Sequence, residues 1–433
     1  MKVRTSCVLL ASLALVATGC RGSDDGGGGG GGDDEAAIDA PGVTADPCPD
    51  AVNEDNGCIY LGQISDLTQG PFAPLGVPIT ESMEAFWQRV NEDGGIGGYD
   101  INASEYIRDN LYNPETHAQV YEEIKGDVLA LAQTLGSPTT LAILPDLKAE
   151  SMVAAPASWT SLWEFEDAIL ESGTNYCAEA MNIVDYMVEN KDVQKVMSIG
   201  FPGDYGGDGA AGAEIAAEAN GLDFTSVETG PGQEEQGTAI GAVVRQKPDL
   251  VILGTGPTET AVIVGQAAAQ GFEGQFVGLG PTWNPALLQS PAAPALEALY
   301  LASGYWGSFD TDTPGHQAMR DAVGDVQAND GYTSGWAWSY PLKAALEEWL
   351  DGDYDKTREG LLEAVQALDQ VDYEGMLPEE AGNYGGEPDE RMFRQSVLST
   401  VDPDSPTGIT LSEDFFVGPT AEANEFTGAC YEG

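Results

Sequence analysis

The sequence predicts an α/β fold made of two doubly wound, Rossmann-like lobes. Residues 59–109 read as a strand, a helix and a second strand, the repeating unit of a parallel sheet. This alternation of helices and strands occurs twice along the 433-residue chain. Two such runs predict two sheets rather than one very wide sheet. In sheets of this kind, ligands bind beyond the carboxyl ends of the strands.

The first strand-helix-strand unit has recognisable boundaries. Residues 59–65 are a short apolar run typical of a strand, and a turn-rich loop, 66–76, follows it. Residues 79–91 place large apolar side chains at helical spacing. The glycines of 94–98 end that helix, because glycine adopts the left-handed cap conformation without Cβ strain. Residues 101–107 then form the second strand.

The later elements continue the alternation. Helices are predicted at 115–133, 175–189, 208–220, 234–246, 259–270, 315–329, 334–350 and 357–368. Strands are predicted at 152–155, 195–201, 224–227, 250–253, 276–279 and 299–305, and a short apolar element at 140–144. The last of these strands is expected to cross between the lobes.

The amino terminus has the pattern of a bacterial lipoprotein signal. Lys2 and Arg4 precede an apolar run, 7–19, and the small residues at 17–19 lead into Cys20. The alternative is a membrane anchor, but the run is too short for a hydrocarbon layer of about 30 Å. Cleavage would make Cys20 the lipidated first residue. The sequence therefore predicts a protein of the cell envelope, extracytoplasmic and anchored to the membrane.

The segment 21–47 is expected to be a flexible linker. It has no hydrophobic period, many carboxylates and seven consecutive glycines. Such a composition cannot bury enough apolar surface to fold. It would let a folded part move beside the membrane.

Four cysteines lie outside the signal and the lipidation site, and four cysteines allow three pairings. In an exported protein we favour Cys48 with Cys58 and Cys177 with Cys430. The chain has no Cys-x-x-Cys pattern, and its only histidines are His117 and His316. A metal site made of cysteine and histidine is therefore not expected.

The charge balance excludes some partners. The whole chain has a net charge of −54. The signal contains Lys2 and Arg4 and no carboxylate, so its removal lowers the net charge by two, to −56. Nucleic acid is not a plausible partner, because binding phosphates requires a basic face. Docking on anionic lipid is equally disfavoured, which is consistent with a covalent anchor. The acidity itself is typical of a solubility or salt adaptation.

Several motifs resemble those of a known family. The first strand is followed by a loop, 68–71, that is similar to Leu-Thr-Gly-Pro with Gln69 inserted. The helix after it ends in Asn-x-x-Gly-Gly-Ile-x-Gly at 91–98. Further matches are Asn-Pro at 113–114, Asp-Tyr-Gly at 204–206 and the segment 332–350. Together they resemble the type I periplasmic solute-binding proteins, in particular the amino-acid and amide receptors of branched-chain-type ABC importers. The resemblance covers most of residues 55–370.

The resemblance implies an architecture and a function. The expected architecture has a first lobe at 48–175 and 305–385, a second lobe at 176–304 and 386–433, and a hinge of three crossovers. A small polar solute, an amino acid or an amide-like compound, would bind between the lobes. The lobes would close over it, and the closed protein, a monomer, would dock on the membrane subunits of an ABC permease. A ligand-sensing module of the same fold, without transport, is the alternative.

The resemblance also implies which residues contact the solute. Those residues are expected in the loops after successive strands: Thr68, Phe72, Ser137, Thr139, Thr140, Ala157, Ser158, Trp159, Tyr205, Thr255 and Trp283. In the family, the loop matching 136–140 and the one after the next strand hold the ligand's carboxylate. The three hydroxyls and backbone N–H groups of 136–140 suit that task. From the residues alone, a cluster of capping and turn residues is the alternative. The ring of Tyr205 would close over the solute from the second lobe.

Two departures from the family argue against a branched-chain amino acid. The loop 254–259 has no tyrosine, and the loop 280–284 has no acid to hold an ammonium group. Trp159, Trp283 and Trp306 could instead line a wider, more aromatic pocket, although a single tryptophan is more often part of a core.

Enzymatic functions are not supported. The chain lacks a Gly-x-Ser-x-Gly elbow and a P-loop. Asp204 and Asp208 do not have the spacing of an EF-hand calcium loop. We therefore predict no catalytic residue, no bound metal and no cofactor.

Overall fold

Two separate sheets organise the computed structural model, which describes residue 38, residues 40–203 and residues 205–431. All the elements given below belong to one compact unit, residues 37–433. The predicted signal, the lipidation site at Cys20, most of the predicted linker and Asp204 lie outside the described residues. Within them, no helix has both the length and the apolar character needed to cross a membrane.

The first sheet contains five strands and is mostly parallel. Its strands are β1 (Val43–Thr44), β2 (Gly57–Ser65), β3 (Tyr99–Asp109), β4 (Ala130–Leu135) and β5 (Ala154–Ala157). Strand β2 pairs in parallel with β3 and β4, and β4 with β5, while β1 adds to β2 in the antiparallel direction. The connecting helices are α1 (Ala73–Glu92), α2 (Pro114–Ile124) and α3 (Ser137–Ala149).

The second sheet contains seven strands. They are β6 (Lys195–Gly200), β7 (Asp223–Glu228), β8 (Leu250–Gly254), β9 (Gln275–Gly278), β10 (Tyr300–Gly304), β11 (Ser396–Val401) and β12 (Ile409–Phe416), in the spatial order β12-β11-β10-β9-β8-β6-β7. Strands β6 to β10 are parallel, and β11 and β12 extend the sheet as an antiparallel edge. The helices of this part are α4 (Tyr176–Asn190), α5 (Tyr205–Asn220), α6 (Gly237–Gln246), α7 (Pro257–Ala269) and α8 (Ala293–Leu299).

The chain then returns to the first sheet and leaves it again. Helices α9 (Pro314–Val323), α10 (Asp330–Ala337), α11 (Ser339–Asp351) and α12 (Arg358–Gln366) follow β10. The Ser82 hydroxyl of α1 donates to the carbonyl of Tyr332 at 2.6 Å, and Phe86 contacts Trp336 with ring centroids 5.2 Å apart. These contacts place the late helices on the first lobe. The short helices α13 (Pro388–Arg391) and α14 (Pro419–Ala423) flank β11 and β12. The chain thus crosses between lobes after β5, after β10 and before β11, which confirms the predicted two-lobe fold.

Several sequence predictions need correction. The helix predicted at 115–133 ends at Ile124, and Ala130–Leu135 is a strand. That strand is completely buried, so its sequence does not alternate between apolar and polar residues as that of a half-exposed strand does. The element predicted at 140–144 is the middle of α3, and β11 and β12 were not predicted. The linker does not extend to residue 47, because Val43–Thr44 already pairs with β2.

Both predicted disulfides are confirmed. Cys48 is bonded to Cys58, ten residues later, and fixes the segment that enters β2. Cys177 is bonded to Cys430 across 253 residues. The second bond ties the carboxyl terminus to the start of α4.

Candidate ligand-binding site

A cavity lies between the two lobes, at the carboxyl ends of strands from both sheets. Its walls are formed by Phe72, Leu75, Ile79, Tyr112, Leu135, Gly136, Ala157, Ser158, Trp159, Tyr176, Tyr205, Gly280, Pro281, Trp283, Trp306, Asp330, Gly331 and Ser334. Its volume is about 50 Å³, which is room for a few water molecules, so a larger solute fits only when the lobes lie further apart. Because the walls come from both lobes, the protein has a closed conformation.

Asp66 shapes the first-lobe loop that carries Phe72. Its carboxylate is fully buried and accepts hydrogen bonds from the backbone N–H groups of Gly70 and Phe72, each at 2.9 Å. This arrangement turns the chain directly from β2 into α1 and directs the Phe72 ring into the cavity. The ring packs against Tyr112 with centroids 4.7 Å apart.

Gly136 begins the second first-lobe loop, and its position requires glycine. Its φ is +99°, and a Cβ atom there would lie 2.6 Å from both the Thr139 hydroxyl and the Tyr112 ring. Helix α3 starts at the next residue, so its first backbone N–H groups lie at the end of β4. A helix start of this kind favours a negatively charged or carbonyl-type group.

The second-lobe wall is built around Tyr205, the first residue of α5. Its side chain is 2% exposed, and its hydroxyl donates to the carbonyl of Thr255. The ring contacts Tyr176 with centroids 4.8 Å apart and Phe72 of the first lobe at 5.9 Å. Asp208, one turn further along α5, accepts hydrogen bonds from the backbone N–H groups of Ser161 and Cys177. Burial raises the pKa of Asp208 to about 6.

Tryptophans close the side of the cavity near the crossovers. Trp159 follows β5, and its ring lies 5.3 Å from that of Trp306 and 4.8 Å from that of Tyr305, measured between centroids. The Trp159 indole N–H donates to the carbonyl of Ser172 at 2.6 Å. Trp306 belongs to the crossover after β10, so this cluster joins the hinge to the cavity.

Comparison with known proteins agrees with this geometry. Residues 59–405 match the profile of the family described as "Periplasmic binding protein", which is most of the chain.

The chain belongs to the periplasmic binding protein family.

Solved structures similar to this periplasmic binding protein include a fatty acid ABC transporter substrate-binding protein from Thermomonospora curvata. It is 27% identical, with a TM-score of 0.80 over 89% of this chain and 96% of that one. An ABC transporter substrate-binding protein of Aeropyrum pernix is 18% identical, with a TM-score of 0.72 over 84% and 98% of the two chains. A branched-chain amino acid ABC transporter protein from Thermus thermophilus, solved with bound valine, is also 18% identical, with a TM-score of 0.70 over 85% and 98%. The last two likenesses show the fold alone. No curated protein matches the sequence.

The family assignment confirms the predicted resemblance and shows a solute-binding protein of the ABC-transporter type, not an enzyme. Both histidines are buried, and neither is among the residues that line the cavity. His117 is fully buried and its ring nitrogens contact the Asn110 amide at 3.1 Å and the Thr134 hydroxyl at 3.0 Å. Burial lowers the pKa of His117 to about 3. The described residues contain no group of three or more side chains suited to hold a metal ion.

Six of the residues predicted to bind the solute line the cavity of this periplasmic binding protein: Phe72, Ala157, Ser158, Trp159, Tyr205 and Trp283. The others do not. Thr68 is exposed, and its hydroxyl donates to Asp109 at 2.5 Å. The Thr255 hydroxyl lies 2.8 Å from that of Thr260, in a fully buried pair. Thr255 contributes to the cavity only through its backbone carbonyl, which accepts the hydrogen bond from the Tyr205 hydroxyl.

The hydroxyls of 136–140 also differ from one another. Thr139 donates to the carbonyls of Leu135 and Gly136, and Thr140 lies 2.9 Å from the Thr134 hydroxyl. Both side chains therefore stabilise the start of α3, as the alternative interpretation of this loop expected. The Ser137 hydroxyl is buried and has no hydrogen-bond partner in the described part of the chain.

Sequence reasoning missed four polar or aromatic wall residues: Tyr112, Tyr176, Asp330 and Ser334. Tyr112 has a φ of +51°, which no local sequence pattern predicted. Asp330 opens α10, whose contribution to the cavity depends on long-range packing. Tyr176 follows an Asn175 cap at the start of α4, a signal that was available in the sequence.

Proposed function

We propose that this protein is a lipid-anchored, extracytoplasmic receptor that captures a small organic solute and delivers it to the membrane subunits of an ABC permease. The observation that carries the proposal is the cavity enclosed between two lobes. A ligand that contacts both lobes stabilises the closed form relative to the open form. The permease could then recognise the loaded protein by its closed shape.

The solute should have a largely apolar body. Most of the cavity wall is aromatic or aliphatic, and no lysine or arginine occurs among the described residues that line it. The similarity to the fatty acid-binding protein of Thermomonospora curvata supports the same inference. The loop 280–284 has no carboxylate to hold an ammonium group, which argues against a branched-chain amino acid. We therefore favour apolar or aromatic carboxylic and amino acids over amides and urea-like solutes.

The start of α3 is the proposed site for the solute's carboxylate. Gly136 lines the cavity, and Ser137, the next residue, lies just behind that lining with a buried hydroxyl that has no partner among the described residues. A carboxylate placed there would gain hydrogen bonds from backbone N–H groups and from the partial positive charge of the helix start.

A thermal-shift screen of the purified soluble part tests the proposal. The screen should include apolar and aromatic amino acids, their deaminated acids, medium-chain fatty acids, amides and urea. A solute present at a hundred times its dissociation constant should stabilise the protein by about 2.7 kcal/mol. Small-angle scattering should then show whether the lobes of the free protein close when the solute is added. If none of these solutes shifts the transition, the proposed function is wrong.

A further inference from the structure

The cavity contains an acidic side chain that has not yet been given a role. Asp330 is the only carboxylate among the described residues that line the cavity, and no lysine, arginine or histidine accompanies it there. It is the first residue of α10, on the first lobe. Helix α10 packs against α1, whose Leu75 and Ile79 contribute to the same wall.

One oxygen of the Asp330 carboxyl group is unsatisfied in the protein as it stands. Its Oδ1 atom is buried and accepts no hydrogen bond from the described residues, although the residue as a whole is half-buried. The neighbouring charge that acts on it is Asp310, which is also acidic. A buried carboxylate without a partner is unfavourable, because it loses its hydration without compensation. The missing partner would therefore be a positively charged or hydrogen-bond-donating group inside the cavity.

The aromatic walls favour a cation in the same cavity. Trp159 and Trp306 lie 5.3 Å apart, and Tyr176 and Tyr205 lie 4.8 Å apart, between ring centroids. The faces of aromatic rings are electronegative and attract ammonium groups. An anion would gain nothing from these faces and would be repelled by an ionised Asp330.

We propose that the solute carries an ammonium group and that Asp330 binds it in the interlobe cavity. This inference rests on the proposed function and narrows it. With the carboxylate at the start of α3, the ligand would be an apolar or aromatic amino acid. With an ammonium group alone, it would be an apolar amine. A fatty acid, which has no cation, would be a poor ligand.

Matched ligands test the solute's carboxylate and ammonium groups separately. Phenylalanine, 3-phenylpropionate and phenethylamine share one aromatic body and differ in their charged groups. Leucine, 4-methylpentanoate and 3-methylbutylamine form an aliphatic set, and octanoate represents fatty acids. Affinities should be measured by calorimetry on the wild type, on Asp330→Asn and on Asp310→Asn. The last variant removes the same charge from an exposed residue outside the cavity lining.

We expect the ammonium-bearing compounds to bind the wild type more tightly than the deaminated acids. Asp330→Asn should weaken them by roughly ten- to a hundredfold, the range expected for a hydrogen bond to a charged group. The same variant should leave the deaminated acids unchanged or slightly tighter, and Asp310→Asn should change neither class by more than about twofold. Circular dichroism should show that both variants are folded.

Other outcomes overturn the inference. If 3-phenylpropionate or 4-methylpentanoate binds as tightly as its ammonium-bearing counterpart and Asp330→Asn has no effect, Asp330 does not bind an ammonium group. The proposed receptor function would then stand, with a fatty acid-like ligand. If no compound of either set binds but an amide or urea does in the thermal-shift screen, the inference fails and the proposed function stands. If nothing in the screen binds, both fail.

Discussion

Phe72 of the first lobe and Tyr205 of the second lie edge to face, with ring centroids 5.9 Å apart. Each ring is placed by the loop after a strand of its own sheet, β2 for Phe72 and β6 for Tyr205. A second link between the lobes is the hydrogen bond from the Asn284 amide to the carbonyl of Pro74, at 3.0 Å. These contacts are made only when the lobes are closed, so they contribute to the free energy of closure.

The first prediction concerns Tyr205. Tyr205→Ala should weaken the affinity for a solute found in the screen by roughly ten- to a hundredfold. It removes the ring that contacts Phe72 and leaves the cavity open on one side. Calorimetry measures the affinity, and small-angle scattering should show a smaller ligand-induced compaction.

Tyr205→Phe is the matched control. It keeps the ring and loses the hydrogen bond to the Thr255 carbonyl. A neutral hydrogen bond contributes about 0.5–1.5 kcal/mol, so the affinity should fall by about twofold to tenfold at most. An unchanged affinity in Tyr205→Ala, with a native circular dichroism spectrum, would remove Tyr205 from the site.

The sequence predicted the parallel core of the fold because its local signals agree. The strands at 195–201, 250–253 and 276–279 are short apolar runs bounded by turn residues, and the structure has strands at each position. The antiparallel edge was missed, because β12 is only partly buried and has Ser-Glu-Asp at 412–414 within it. Its place is set by pairing with β11, a contact that no local pattern encodes.

The second prediction concerns stability and pH. Burial raises the pKa of Glu164 to about 7, of Glu179 to about 8 and of Asp330 to about 7. The unfolded chain ionises these groups near pH 4, so the folded protein holds more protons between about pH 4 and pH 8. Their contribution to stability is therefore complete at low pH and is lost as the pH rises through 7 and 8.

The melting temperature of the ligand-free protein should accordingly rise as the pH is lowered from about 8.5 to about 5.5. Glu179→Gln should reduce this slope, since the amide oxygen can still accept the N–H of Gly280, which now donates to Glu179 at 2.9 Å. Differential scanning calorimetry across this range is the measurement. A melting temperature that falls on acidification would contradict the assignment.

The third prediction concerns the disulfides. Removing the bond between Cys177 and Cys430 with a double alanine substitution should lower the free energy of unfolding by about 2–5 kcal/mol. The double substitution at Cys48 and Cys58 should cost less, because that bond closes a separation of 10 residues rather than 253. Urea unfolding of both variants compares them directly. Equal losses would show that the closed loop's length does not decide the effect here.

The fourth prediction concerns the proposed anchor. Cys20→Ser should move the protein from the membrane fraction to the soluble fraction, because it removes the residue to be lipidated. Fractionation followed by immunoblotting measures the distribution. Retention of the variant on membranes after a high-salt wash would exclude lipidation as the anchor.

Site residues were harder to predict than strands, because a loop's sequence does not show where its polar groups are satisfied. Ser137, Thr139 and Thr140 look equivalent in sequence. In the structure, Thr139 and Thr140 have partners inside the first lobe, and only Ser137 has an unpartnered hydroxyl. The difference depends on the positive φ of Gly136 and on the start of α3 at the next residue. Both follow from the tertiary position of β4, which was predicted as part of a helix.

The last prediction uses that difference. Ser137→Ala should weaken the affinity for a carboxylate-bearing solute from the screen by roughly ten- to a hundredfold, since a hydrogen bond to a charged group is lost. It should leave the free protein's melting temperature unchanged or higher, because an unsatisfied buried hydroxyl is removed.

Thr140→Val, the control variant, should do the opposite. It keeps the side-chain shape and removes a buried hydrogen bond to Thr134, so stability should fall by about 1–3 kcal/mol with little change in affinity. Calorimetric titration measures the affinity of both variants, and urea unfolding measures their stability. If Thr140→Val loses affinity and Ser137→Ala does not, the solute's carboxylate does not bind at Ser137.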